Sequence, residues 1–121
     1  MSWYSAHAIL YVQYKSGAQT SFPVWENVYL IEADSSEAAL EQAKARALED
    51  EGDSGGTFMW DDRAAEWVFA GIRKIISVSH LESEGNLSSG DELTYSQLRV
   101  NSLQKVKSLA AGDIVQTIYD E

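Results

Sequence analysis

The side chains here best suited to moving a proton are His7, His80 and a surplus of carboxylates. His7 follows Ser5 by two residues, which in an extended strand puts both on one face. With a nearby acid they are the residue types of a nucleophile and its base. Triad chemistry also needs an oriented third group and an oxyanion hole, and the expectation is that no Gly-x-Ser-x-Gly elbow occurs. A strand histidine bonded to a neighbour accounts for the same residues. His80 stands beside Glu82 and Glu84, but two histidines far apart without common spacing do not make a metal set. Asp61 and Asp62 with Glu66 lack the alternation of a calcium loop, so they read as an acidic turn with Arg63. The sequence therefore predicts no metal ligand, no cofactor site and no catalytic set.

Glu26 and Glu32 flank the run Val28-Tyr29-Leu30-Ile31. Six residues apart at roughly 3.3 Å each, they are too distant to share a proton, and a salt bridge to Arg73 or Arg99 across a sheet is the plainer role. One polar trio could converge at a sheet edge: His7, Glu26 and Arg73, as a pocket for a small ligand or weak enzymatic chemistry. The aromatics form a second group. Trp3, Tyr11, Trp25, Tyr29, Trp67 and Phe69 all hold odd positions in predicted strands, so neighbouring strands could bring them onto one sheet face. Such a face is either a second core or an exposed platform for a partner.

The elements that must position these groups are clearest between Trp25 and Gly52. Val28 to Ile31, β-branched and aromatic with apolar groups on both faces, predicts a central strand. Asp34-Ser35-Ser36-Glu37 reads as a capping box with Asp34 as N-cap. It opens a helix over about 35–51, with Leu40, Ala43, Ala47 and Ala39 as its narrow buried stripe and Gly52 as its C′ residue. Before it, a strand from about Trp3 to Tyr14 turns at Lys15 to Ala18 into an antiparallel hairpin. After it come the acidic linker Asp53 to Gly56, a short strand Thr57 to Trp60, a tight turn, and a long strand from Glu66 to about His80. In that strand Val68, Ala70, Ile72, Ile76 and Val78 face one way, and Trp67, Phe69 and Ile75 the other. Leu81 to Gly90 reads as a loop and Asp91 to Val100 as an edge strand. A short helix over about 102–111 is capped by Asn101 and ended by Gly112, and Ile114 to Tyr119 forms a last strand. The expected fold is a single α+β domain over 1–121, a mainly antiparallel sheet of five to six strands with both helices on one face.

The chain has 121 residues, enough for one domain with a real core, and no cysteine, which excludes disulfides, thiolate zinc sites and a cysteine nucleophile. Its net charge is −10, and the segment from Asp34 to Asp53 holds seven acids against Lys44 and Arg46. Such a surface repels phosphate backbones, and the only local basic patches are Arg73-Lys74 and Lys105 with Lys107, so no nucleic-acid partner is expected. No apolar run approaches the roughly 20 residues that span a bilayer, and the N-terminus lacks a basic leader region. A cytoplasmic protein without a membrane partner is the expectation.

Five short blocks in order resemble a known family: Trp3-Tyr4-Ser5-Ala6, Trp25-Glu26, Glu32-Ala33 with Glu37-Ala38 and Ala43, Trp67 to Ile72, and Gly90 to Ser96. They are similar to the bacterial family catalogued as domain of unknown function 4288, over roughly Trp3 to Ser96. The resemblance implies a bacterial origin and an α+β domain, brings no activity, and leaves the segment after Arg99 as an extension. The reading that follows is a non-enzymatic protein-interaction or regulatory module using its aromatic face, with another protein or a second copy of itself as partner. The alternative is a small-ligand binder or weak enzyme at His7, Glu26 and Arg73.

Overall fold

A computed structural model describes residues 1–78, 89–90 and 92–119. The elements are β1 (Ser2–Tyr14), β2 (Phe22–Ala33), α1 (Ser36–Leu48), β3 (Met59–Trp60), β4 (Arg63–Val78), β5 (Glu92–Val100), α2 (Leu103–Ala110) and β6 (Ile118–Tyr119). They form an α+β fold on one antiparallel sheet in the order β3-β4-β1-β2-β5-β6. The predicted loop at Leu81 to Gly90 and the ends of two predicted strands, at His80 and Asp91, fall largely or wholly outside the described residues.

A strand apolar on both faces must be covered on both, and β1 is such a strand. Its even residues Tyr4, Ala6, Ala8 and Leu10 join Tyr29, Ile31 and Ala33 beneath α1. Its odd residues Ile9 and Tyr11 join Phe22, Val24, Leu98 and Val100 beneath Val106, Leu109 and Ala110 of α2. The helices thus lie on opposite faces of the sheet, not together on one. Apolar side chains at both parities of β1 require this arrangement. Ile9, Leu10, Val12 and Val24 are wholly buried, and each such side chain contributes roughly 1.5–3 kcal/mol.

The corner into α1 is capped one residue later than the sequence predicts. Ser35, extended at φ −153°, accepts from the Ala38 amide at 3.1 Å, so Ser35 and not Asp34 is the N-cap. The buried stripe is Ala39, Ala43 and Ala47 at successive four-residue steps, with Leu40 only half-buried. Methyl-sized side chains let the helix axis lie close to the sheet. The helix ends at Leu48 with Glu49 as C-cap, and Gly52, expected as its C′ residue, instead pairs with Trp67 on the edge of β4. The Gly52 amide donates to the Trp67 carbonyl at 3.1 Å, and the Trp67 amide returns a bond of 2.7 Å.

Two register shifts in β4, opposite His7/Ala8 and Ile9/Leu10, change which side chains face which way. Ile72 lies between them and joins Trp67, Phe69 and Ile75 under α1, whereas simple alternation put it with Val68 and Ala70. Gly71 sits in the same interval, where a Cβ would meet that of Ala110 at 3.4 Å, so α2 lies close against bare backbone. Helix α2 is capped by Ser102, not Asn101, through the Lys105 amide. It ends in a Schellman motif: the Gly112 amide bonds the Leu109 carbonyl, and the Asp113 amide bonds that of Ser108. Of the predicted last strand only Ile118–Tyr119 pairs with β5. Among the described residues no helix is long and apolar enough to cross a membrane.

Candidate binding site between Trp25 and Trp67

Register decides which aromatics meet. The β1–β2 pairs run Leu10↔Trp25, Ala8↔Asn27 and Ala6↔Tyr29, so even residues of β1 share a face with odd residues of β2. Trp25, Asn27 and Tyr29 therefore lie on the α1 face. From the other side Phe69 pairs with Leu10 and Trp67 with Val12. Helix α1 covers the half of this face around Ala6 and Tyr29 and stops at Leu48. Beyond its end Leu10, Trp25, Asn27, Asp50, Trp67 and Glu92 line an open pocket of about 310 Å³.

The aromatic wall is built by edge-to-face contacts. Trp25 meets Trp67 at 4.7 Å and 87°, and Trp60 at 5.6 Å and 88°. Phe58 stacks on Trp67 at 5.6 Å. All four rings are half-buried. Trp60 is delivered by the β3–β4 hairpin, whose two-residue loop Asp61-Asp62 has φ of +49° and +60°, as a tight primed turn requires.

The polar wall is a directed chain. Asn27 Nδ2 donates to the Tyr29 hydroxyl at 3.1 Å, and that hydroxyl donates to Asp50 Oδ2. Asp50 Oδ1 takes a bond from Arg46 Nη1 at 3.0 Å. Arg46 also donates to the Gly90 carbonyl at 3.0 Å and lies 4.7 Å over the Tyr29 ring. Burial first, and then the bond to Asp50, pushes the Tyr29 phenol well above its ordinary range, so it stays a neutral donor. Glu92, at the exposed rim, is raised above its ordinary value by partial desolvation and then by the charge of Asp50. With one Asn27 N–H and the Tyr29 O–H used inside the network, the pocket presents the Asp50 and Glu92 carboxylates beside the two indoles.

The six aromatics singled out in the sequence divide between two faces. Trp25 and Trp67 line the pocket, Tyr29 supports it through its hydroxyl, and Phe69 packs in the same core. Tyr11 lies in the other core, edge-on to Phe22 at 6.2 Å, and Trp3 is buried on that same second face. Counting odd positions fails because paired residues of β1 and β2 have opposite parity. Asn27, Asp50 and Glu92 went unnoticed in the sequence. Asp50 becomes suggestive once the helix is known to stop before it, but Glu92 needs the register of β5.

On the opposite face, His7 Nδ1 lies 2.8 Å from Glu26 Oε2, and Ser5 Oγ lies 3.5 Å from His7 Nε2. Glu26 therefore pairs with His7 and not with Arg73. Arg73 is directed elsewhere, donating to the carbonyls of Leu109 at 2.6 Å and Asp113 at 3.0 Å, where it secures the end of α2. The backbone of β1 is paired on both sides, by β2 and β4, so its amides are not available as an oxyanion hole. Gly52-Asp53-Ser54-Gly55-Gly56 does spell Gly-x-Ser-x-Gly. Ser54 has φ +56°, but it stands in an exposed turn leading to a strand, not on a strand-to-helix elbow. Among the described residues no three His, Asp or Glu side chains group as metal ligands do.

A family model described as a domain of unknown function (DUF4288) matches residues 3–93. The chain belongs to the DUF4288 family. The matched span contains the whole pocket lining, from Leu10 to Glu92, whereas α2 lies beyond it. No curated protein and no solved structure matches this DUF4288 chain.

Proposed function

We propose that this DUF4288 domain is a non-enzymatic binding module that recognises a protein partner through the pocket between Trp25 and Trp67. The observation that carries the reading is that two half-buried tryptophans face an open pocket where α1 leaves the sheet uncovered. Tryptophan in a partly desolvated pocket is the side chain that most often anchors a protein interface. The net charge of −10 favours a basic partner over a second acidic copy. Peptide display against the folded chain tests this. Selected peptides should lose most of their affinity on Trp25→Phe and Trp67→Phe variants that keep wild-type circular dichroism. Peptides that bind both variants as well as wild type would remove the pocket from the account.

A second reading, a small-ligand or weakly catalytic site, is supported by the Ser5–His7–Glu26 line of contacts. Arg73 weakens it, because its guanidinium is engaged at α2. It predicts a thermal-shift ligand whose effect disappears in His7→Ala.

A further inference from the structure

We propose that the Trp25–Trp67 pocket takes the cationic side chain of an arginine or lysine in a basic segment of the partner, seated against the indoles and between Asp50 and Glu92. This deepens the binding reading above and rests on it. Three features of the site argue for a cation. Its rings are indoles, the aromatic groups that attract cations most strongly. Its charged groups are acceptors, since the Asn27–Tyr29–Asp50 chain directs hydrogens toward Asp50, and the carboxylate oxygens of Asp50 and Glu92 keep lone pairs for a further donor. Finally, the charged groups of the lining are Asp50 and Glu92, with the Arg46 guanidinium bonded to Asp50 outside it, so the lining favours a cation over an anion.

The protein already uses this chemistry within itself. Arg46 lies over the Tyr29 ring while bonding Asp50, and Arg63 lies 3.6 Å over the Tyr14 ring while bonding the carbonyls of Ser16 and Ala18. The volume of about 310 Å³ is at the bottom of the small-molecule range of roughly 300–1,000 Å³. It suits one side chain better than a whole cofactor. Glu49, Glu51 and Asp53 flank Asp50 along the chain, an acidic segment that suits a run of basic residues over a lone amine.

Binding should couple to a proton at Glu92. Groups facing that carboxyl are Asp50 and Arg46, with Tyr29 held on Asp50. A cation in the pocket favours ionised Glu92, so affinity should rise with pH through the elevated Glu92 value and level off above it.

The test is calorimetric titration of the full chain with an arginine-containing hexapeptide, the lysine version, and the version in which citrulline, neutral and nearly isosteric, replaces arginine. Arginine and lysine peptides should bind, with citrulline and the rim variant Glu92→Gln each weakening affinity roughly tenfold, the size of one modest charge contact. Glu92→Gln should also flatten the pH dependence. Equal binding of the citrulline peptide, or an unaffected Glu92→Gln, overturns the cation assignment. If displayed peptides still require Trp25 but lack basic residues, the pocket stands and the cation assignment alone fails.

Discussion

Asp50 is held by two donors of different kinds, the phenol of Tyr29 and the guanidinium of Arg46, and this fixes the polar wall of the pocket. Tyr29→Phe removes the hydroxyl and leaves Asn27 and Asp50 each short of a partner. Equilibrium urea unfolding should show a loss of about 1–3 kcal/mol, the cost of unmade buried hydrogen bonds. A change below about 0.3 kcal/mol would mean that the chain of bonds does not organise the site. Glu92 makes a prediction of opposite character. Its folded value is raised, so the folded state holds that proton more tightly than the unfolded chain does. Its contribution is fully present below the unfolded value and is lost as pH rises through the folded one. Wild type should therefore gain stability relative to Glu92→Gln as pH falls from neutral into the carboxylate range. Asp53, lowered by Lys15 and the Gly56 amide, has the reverse dependence but is common to both proteins and cancels. A pH-independent difference would show that Glu92 titrates normally.

At the scale of elements, the two helices are positioned by small residues. Ala43 is wholly buried between α1 and the sheet, and Ala43→Leu should cost about 1–3 kcal/mol by overpacking, read as a lower urea midpoint. Gly112 has φ +90°, and a Cβ there would lie 3.3 Å from the Arg73 carbonyl oxygen. Gly112→Ala should cost about 1–2 kcal/mol, by the left-handed penalty of a side chain. An unchanged midpoint in either variant would contradict the close seating described for that helix. The strand-to-helix unit of β2 and α1 was readable from sequence because capping and alanine spacing are local signals. Placing α2 on the second face was not, although the two apolar sides of β1 already demanded cover for both. The displacement of Ile72 depends on two one-residue shifts opposite β1, for which Gly71 inside the strand is the local sign, though it fixes neither their number nor their place. The pocket suffered the same limit: Trp25 and Trp67 stand out by type, while Asn27, Asp50 and Glu92 join them only through register.

For the whole molecule, one sheet carries two cores, and the second depends on residues beyond the family match. Val106 and Leu109 of α2 are buried against Tyr11 and Val24. At roughly 1.5–3 kcal/mol each, they amount to a large part of a typical stability of about 5–15 kcal/mol. A chain ending after Asn101 should lose its cooperative unfolding transition, as followed by circular dichroism. A truncated chain that melts like the full one would make α2 an accessory and not a layer of the fold. The charge of −10 adds that binding of a basic peptide should weaken as salt rises, while the indole contribution persists. The central claim, that a cation enters between Trp25 and Trp67, is tested most directly by NMR. The measurement is a titration of ¹⁵N-labelled chain with the arginine peptide, following the indole Nε1–H resonances. Saturable shifts are expected at Trp25 and Trp67 and none at buried Trp3, with both titrating at roughly tenfold higher peptide concentration in Glu92→Gln. Shifts confined to the acidic face of α1, with the Trp25 and Trp67 indoles unmoved, would contradict it.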